Sequence, residues 1–194
     1  MAHISSENQQ IVFKLVYFGP GMSGKTTNLH WIHAQLAEKY RGELLVLDTE
    51  KERTLFFDFF PVSLGRVENY AIKFHLYTIP GQIHYEASRR LILEGADGVA
   101  FIADSRMGHL EKNIQSYRMM IDNMIDLRIP VDDFPVVLQY NKRDLEPLIE
   151  LGSIERELGL SPGIPAIEAV ASEGRGVMQT LRLLSMEVIR KFQL

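Results

Sequence analysis

The octapeptide GPGMSGKT, residues 19–26, gathers three glycines, a lysine and a threonine hydroxyl into one short stretch. Glycines let a backbone fold so that several N–H groups point inward. With the N-terminus of a following helix, such donors suit phosphate oxygens. The pattern G-x-x-x-x-G-K-[ST], between a strand-like run and a helical one, is a P-loop. Gly19, Gly21, Met22, Ser23, Gly24, Lys25, Thr26 and Thr27 are therefore candidate phosphate contacts. Lys25 reaches the outer phosphates and is also a candidate for stabilising charge during reaction. The Thr26 hydroxyl is a candidate ligand for Mg²⁺.

A second constellation, Asn141-Lys-Arg-Asp144, follows the apolar run FPVVLQY. A carboxylate at Asp144 can accept hydrogen bonds from guanine N1–H and its 2-amino group, a donor pair that adenine lacks. Bonds to a charged partner are worth about 1.5–3 kcal/mol each. A site built this way rejects the wrong base by roughly 10⁴-fold or more. Lys142 is expected to lay its stem along the base and Asn141 to brace neighbouring loops. In EAVASEG, after the last strand, the Ala171 N–H is a candidate donor to guanine O6, with Ser172 beside it.

These groups need a scaffold that brings distant loops together. Strand-like segments (11–19, 42–48, 71–78, 97–105, 134–142, 164–171) alternate with helical ones. Leu29, Ile32 and Leu36 mark a first helix, Leu110 to Met124 a long one, and Val177, Leu181, Leu184, Val188 and Phe192 a last one. Alternation of this kind predicts an α/β fold, a mostly parallel central sheet flanked by helices. Ligands then bind beyond the carboxyl ends of the strands. The segment 71–78 reads as an edge or hairpin strand, and 48–66 as irregular. Residues 1–194 are expected to form one domain.

The remaining composition excludes other classes. Net charge is −4, against a nucleic-acid surface. Absence of cysteine excludes disulfides and thiolate metal sites. Neither a bilayer-length apolar run, nor a signal peptide, nor a lipidation motif is apparent, so the expectation is a cytoplasmic protein without a stable membrane anchor. Recruitment to a cell pole is left open.

P-loop, PGQ and NKRD in this order resemble the Ras-like small GTPases over nearly the full length. GPGMSGKTTN, TEKERTLFFDF, FHLYTIPGQ and ASRRLIL narrow the resemblance to the MglA type, bacterial GTPases of gliding motility and cell polarity. The resemblance implies GTP/GDP and Mg²⁺ as ligands. It also implies slow hydrolysis without an activator, an MglB-type homodimer of the roadblock fold as that activator, and polarity and motility effectors for the GTP form. The chain alone is expected to be a monomer. Switch I would cover about 48–66 and switch II about 78–92. Thr54 would sense Mg²⁺ and the γ-phosphate, Gly81 N–H would meet the γ-phosphate, and Gln82 would orient the attacking water. Arg53 would supply in cis the arginine that stabilises the transferring phosphoryl group.

One departure stands out. Most Ras-like chains carry an aspartate where this one has Thr78, in TIPGQ. Compensation is expected from the Thr78 hydroxyl, or from Asp58 or Asp104. His30 and His33, three apart on the first helix, read as surface or packing residues, and FFDFF (56–60) as mainly core. Two other functions compete: an ATP-dependent P-loop kinase of small molecules, and a nucleotide-bound scaffold with negligible hydrolysis. NKRD and PGQ speak against the first, Gln82 and Arg53 against the second.

Overall fold

The computed structural model describes residues 3–5, 9–47, 57–67, 69–79, 86–160 and 163–192. Its strands are β1 (His3–Ser5), β2 (Gln10–Phe18), β3 (Leu45–Leu47), β4 (Phe57–Val67), β5 (Tyr70–Thr78), β6 (Gly98–Asp104), β7 (Val136–Asn141) and β8 (Ala166–Glu168). The helices are α1 (Lys25–Gln35), α2 (Glu86–Leu93), α3 (Leu110–Asp126), α4 (Ser153–Leu158) and α5 (Val177–Phe192), with a 3₁₀ turn at Glu38–Tyr40. All eight strands join one sheet, ordered β3-β4-β5-β2-β6-β7-β8, with β1 pairing on β2. Strands β5, β2, β6, β7 and β8 run parallel, whereas β3 and β4 are antiparallel additions at one side. The α/β architecture expected from the alternation is present.

Period-two alternation on the strands divides the apolar side chains between two cores. Leu15 and Tyr17 of β2, Phe74 and Leu76 of β5, and Val137 of β7 pack with Leu29 and Ile32 of α1 and with Val177, Leu181, Leu184 and Val188 of α5. On the other face, Val16, Phe18, Phe101, Leu138 and Tyr140 pack with Leu93, Tyr117, Met120, Met124 and Ile154 of the remaining helices. Every residue of β6 is buried, as an uninterrupted apolar run in mid-sheet requires. Each such side chain contributes on the order of 1.5–3 kcal/mol by leaving water.

Three expectations change. Residues 57–66, expected to be irregular, form most of β4. Asp58, Phe60 and Val62 are buried while Phe59, Pro61 and Ser63 are half-buried, so a strand's period lies hidden inside an aromatic run. Strand β5 forms the expected hairpin with β4, but it lies inside the sheet, between β4 and β2. The last strand shrinks to three residues, since the chain turns back where Val170 bridges Arg175. Helix α4 gave no periodic signal because six residues are too few to show one.

Candidate nucleotide-binding site

Parallel strands deliver their following loops to one edge of the sheet. The loops after β2, β6, β7 and β8 therefore meet there, although they are spread over some 150 residues of sequence. The loop after β2 turns abruptly into α1. Gly19 has φ +142°, and an added Cβ would lie 2.2 Å from the Ile102 carbonyl oxygen of β6. Gly24, at φ +103°, would press a Cβ to 2.3 Å from the Asn141 amide nitrogen. Both motif glycines are thus needed for close approach to neighbouring chain as well as for backbone freedom.

Helix α1 begins without a side-chain cap. Its first amide to find a backbone acceptor is Asn28, bonded to Gly24 O at 3.0 Å. Ahead of it the N–H groups of Gly24, Lys25, Thr26 and Thr27 have no acceptor among the described residues. A row of free donors at the positive end of a helix suits a polyanion. Thr26 and Thr27 are exposed, as is Met22, which takes a positive φ of 61°. Buried beneath the loop, Ser23 Oγ and Asn28 Oδ1 have no hydrogen-bond partner among the described residues.

Lys25 is nearly enclosed, at 7% exposure. Its ammonium donates to the carbonyls of Gly19 (2.9 Å) and Pro20 (2.7 Å). Burial pushes its pKa down to about 7; Asp58 opposes the shift and Lys142 adds to it. A desolvated ammonium with no carboxylate salt bridge among the described residues gains most from an incoming anion.

Of the two aspartates considered beside Thr78, Asp58 is the one in contact with it. The β4–β5 register sets the two residues opposite each other. Asp58 N–H donates to Thr78 Oγ1 at 2.8 Å, and that hydroxyl donates to Asp58 Oδ2 at 3.1 Å. Both residues are buried. A carboxylate delivered from the neighbouring strand thus sits beside the Thr78 hydroxyl. The other candidate, Asp104, is engaged elsewhere.

On the base side, Asn141 ties three loops together. Its Nδ2 donates to Ser23 O at 2.7 Å, and its Oδ1 accepts from Ala171 N–H at 2.9 Å. The Ala171 amide expected to meet guanine O6 is therefore already engaged. Asp144 is exposed, and no hydrogen bond or ion pair occupies its carboxylate among the described residues. Ser172 is exposed in the loop after β8. Lys142 takes a positive φ of 65° and donates from Nζ to Asp104 Oδ2 at 2.9 Å.

Asp104, 1% exposed, also receives Arg106 Nη2 (2.7 Å), Nε (3.0 Å) and backbone N–H (3.2 Å), with His109 Nδ1 at 3.6 Å. Burial alone raises its carboxyl; the bonds from Arg106 and Lys142 outweigh that and hold it at about 2. Sequence reading missed this cluster because Arg106 and Lys142 lie far apart in the chain. It also missed Tyr140, whose hydroxyl accepts from Gly152 N–H (3.0 Å) and Ile154 N–H (3.2 Å) and donates to Glu155. That hydroxyl caps α4 and fixes the strand that delivers Asn141. Arg53, Thr54, Gly81 and Gln82 lie outside the described residues. His33 packs edge-on against Phe60 and is bonded to Gly42 O at 3.1 Å, and no metal-binding cluster occurs among the described residues.

A P-loop between a central parallel strand and α1, faced by Asp58–Thr78 and flanked by the Asn141–Asp144 loop, defines a Ras-like P-loop GTPase domain. Over 193 residues the chain is 42% identical to the Mutual gliding-motility protein MglA of Myxococcus xanthus (strain DK1622), covering 100% of this chain and 98% of that protein. The chain belongs to the MglA family of small GTPases. No family model matches it. Among the described residues no helix is long and apolar enough to cross a membrane.

Proposed function

We propose that this protein is a guanine-nucleotide switch, its residues 1–194 forming one G domain, that serves gliding motility and cell polarity through partners recognising its GTP form. The observation that carries the reading is the joint between Asn141, Ser23 and Ala171, which fuses phosphate cradle and base loop into one rigid site. The donor set fits a nucleoside polyphosphate: free amides at the start of α1, a desolvated Lys25, and an exposed carboxylate at Asp144 on the base side. GTP would be the substrate that supplies the phosphoryl bond, and a bound Mg²⁺ would supply positive charge against its phosphates. Thr26 and Thr54 would hold the metal, and Asp58 with Thr78 would orient its water. Gly19, Gly21, Met22, Ser23, Gly24 and Thr27 would line the phosphates. Gly81 would sense the γ-phosphate, Gln82 would orient water, and Arg53 would stabilise charge in cis. Lys142, Ala171 and Ser172 would complete the base pocket, with Ala171 N–H shared between Asn141 and the base.

Intrinsic hydrolysis is slow in this reading, and a roadblock-fold homodimer of the MglB type accelerates it by repositioning the switch segment that carries Arg53. The test is competition binding with magnesium, followed by single-turnover hydrolysis with and without such an activator. GTP and GDP are expected to displace a fluorescent guanine nucleotide at least a thousandfold better than ATP. Equal displacement by ATP would refute the reading.

A further inference from the structure

The guanine loop lysine, Lys142, is fixed at both ends. Its backbone sits in the left-handed region at φ +65°, where a residue with a side chain is held only by its surroundings. Those surroundings are Leu145 N–H on Lys142 O (3.1 Å) and Arg143 N–H on Ala169 O (3.1 Å). At the far end the ammonium meets Asp104 Oδ2 at 2.9 Å. Asp104 is itself immobilised: its backbone N–H donates to Asn113 Oδ1 (2.9 Å), and its carbonyl accepts from Asn113 Nδ2 (2.9 Å), so α3 clamps it from both sides. Its side chain is closed in by Arg106 and His109 from the following loop. Asp104 and Asn141 are register partners at the ends of β6 and β7. The Lys142 stem therefore bridges from the β7 end to the β6 carboxylate, beside the phosphate loop.

We infer that Asp104 is a positioning residue for nucleotide retention: it anchors the Lys142 ammonium so that the lysine's four-carbon stem forms a fixed apolar bar against the base and ribose. This rests on the guanine-nucleotide reading above. A free lysine would lose rotamer entropy on each binding event, and Asp104 removes that cost in advance. Simple charge balance predicts the opposite sign. A buried carboxylate near a polyanion should weaken binding, and its removal should tighten it.

The experiment is release of a fluorescent GDP analogue from the full chain, wild type against Asp104→Asn, Lys142→Met, the double variant and Arg106→Met. Methionine keeps most of the stem and lacks the ammonium. Release is expected to quicken about tenfold or more in Asp104→Asn and in Lys142→Met, as loss of a charge-assisted contact implies. The double variant should be no faster than either single one, and Arg106→Met should stay near wild type. Multiplying effects in the double variant, slower release from Asp104→Asn, or an Arg106→Met as fast as Asp104→Asn would each overturn the inference. Should Asp104→Asn fail to fold, a crystal structure of the wild-type GDP complex decides. Lys142 Nζ is expected within hydrogen-bond reach of Asp104, and an ammonium turned away from it would overturn the proposal. A wild type that bound no GDP would instead refute the functional reading, so the two failures are distinct.

Discussion

Nucleotide binding to this protein should take up a proton above neutral pH, because of Lys25. Without a phosphate its ammonium is buried on two carbonyls, and burial holds its pKa at about 7 against an ordinary 10.5. A bound polyphosphate favours the charged form and restores a high value. The sign follows from linkage. Above pH 7 the free protein has lost the proton and the complex keeps it, so affinity falls as pH rises; below 7 both states are protonated and the dependence flattens. The slope is shallow at pH 7, where half the free protein is still protonated, and approaches tenfold per pH unit above it, so the dissociation constant should rise about 50-fold from pH 7 to pH 9, roughly 2 kcal/mol. The assay is calorimetry of GDP binding at about pH 8.5 in two buffers of different ionisation enthalpy, where the phosphates are already fully ionised. The difference in observed enthalpy should correspond to close to one proton absorbed. Zero protons exchanged, with an affinity unchanged between pH 7 and 9, would refute the picture of a desolvated lysine awaiting its anion. The folding linkage has the matching sign: an unfolded chain binds that proton up to its ordinary value, so the nucleotide-free fold should gain stability with pH across the same window.

Asp58→Asn should weaken GDP binding about tenfold in magnesium and hardly at all in chelator, since its carboxylate would act through metal-bound water; equal losses in both would assign Asp58 to packing alone. Arg53→Ala should keep GTP affinity while activator-stimulated turnover falls by about 10³ or more, measured as phosphate release; near-wild-type stimulated turnover would remove Arg53 from the mechanism. Tyr140→Phe deletes the hydroxyl that accepts the Gly152 and Ile154 amides at the start of α4 and should lower stability by about 1–2 kcal/mol in urea unfolding; an unchanged midpoint would show that the cap contributes nothing.

Much of this protein could be read along the chain. The P-loop octapeptide, the Asn141–Asp144 run and the strand–helix alternation are local patterns. Their chemistry depends on residue type at short spacing, and short spacing survives any tertiary arrangement. The apolar stripe of α5 is likewise written in a fixed period of 3.6 residues, and β6 in an unbroken apolar run. What the sequence could not contain is register. Asp58 meets the Thr78 hydroxyl only because β4 and β5 pair in one register, and a slip of one residue would turn Asp58 to the other face. Likewise Gly24 must lack a side chain because Asn141, 117 positions further on, packs against it. Asp104, Arg106 and Lys142 form one cluster because β6 and β7 end side by side. Distances between atoms far apart in the chain are set by how strands pair and helices cover them, and that global packing alone decided which charges met.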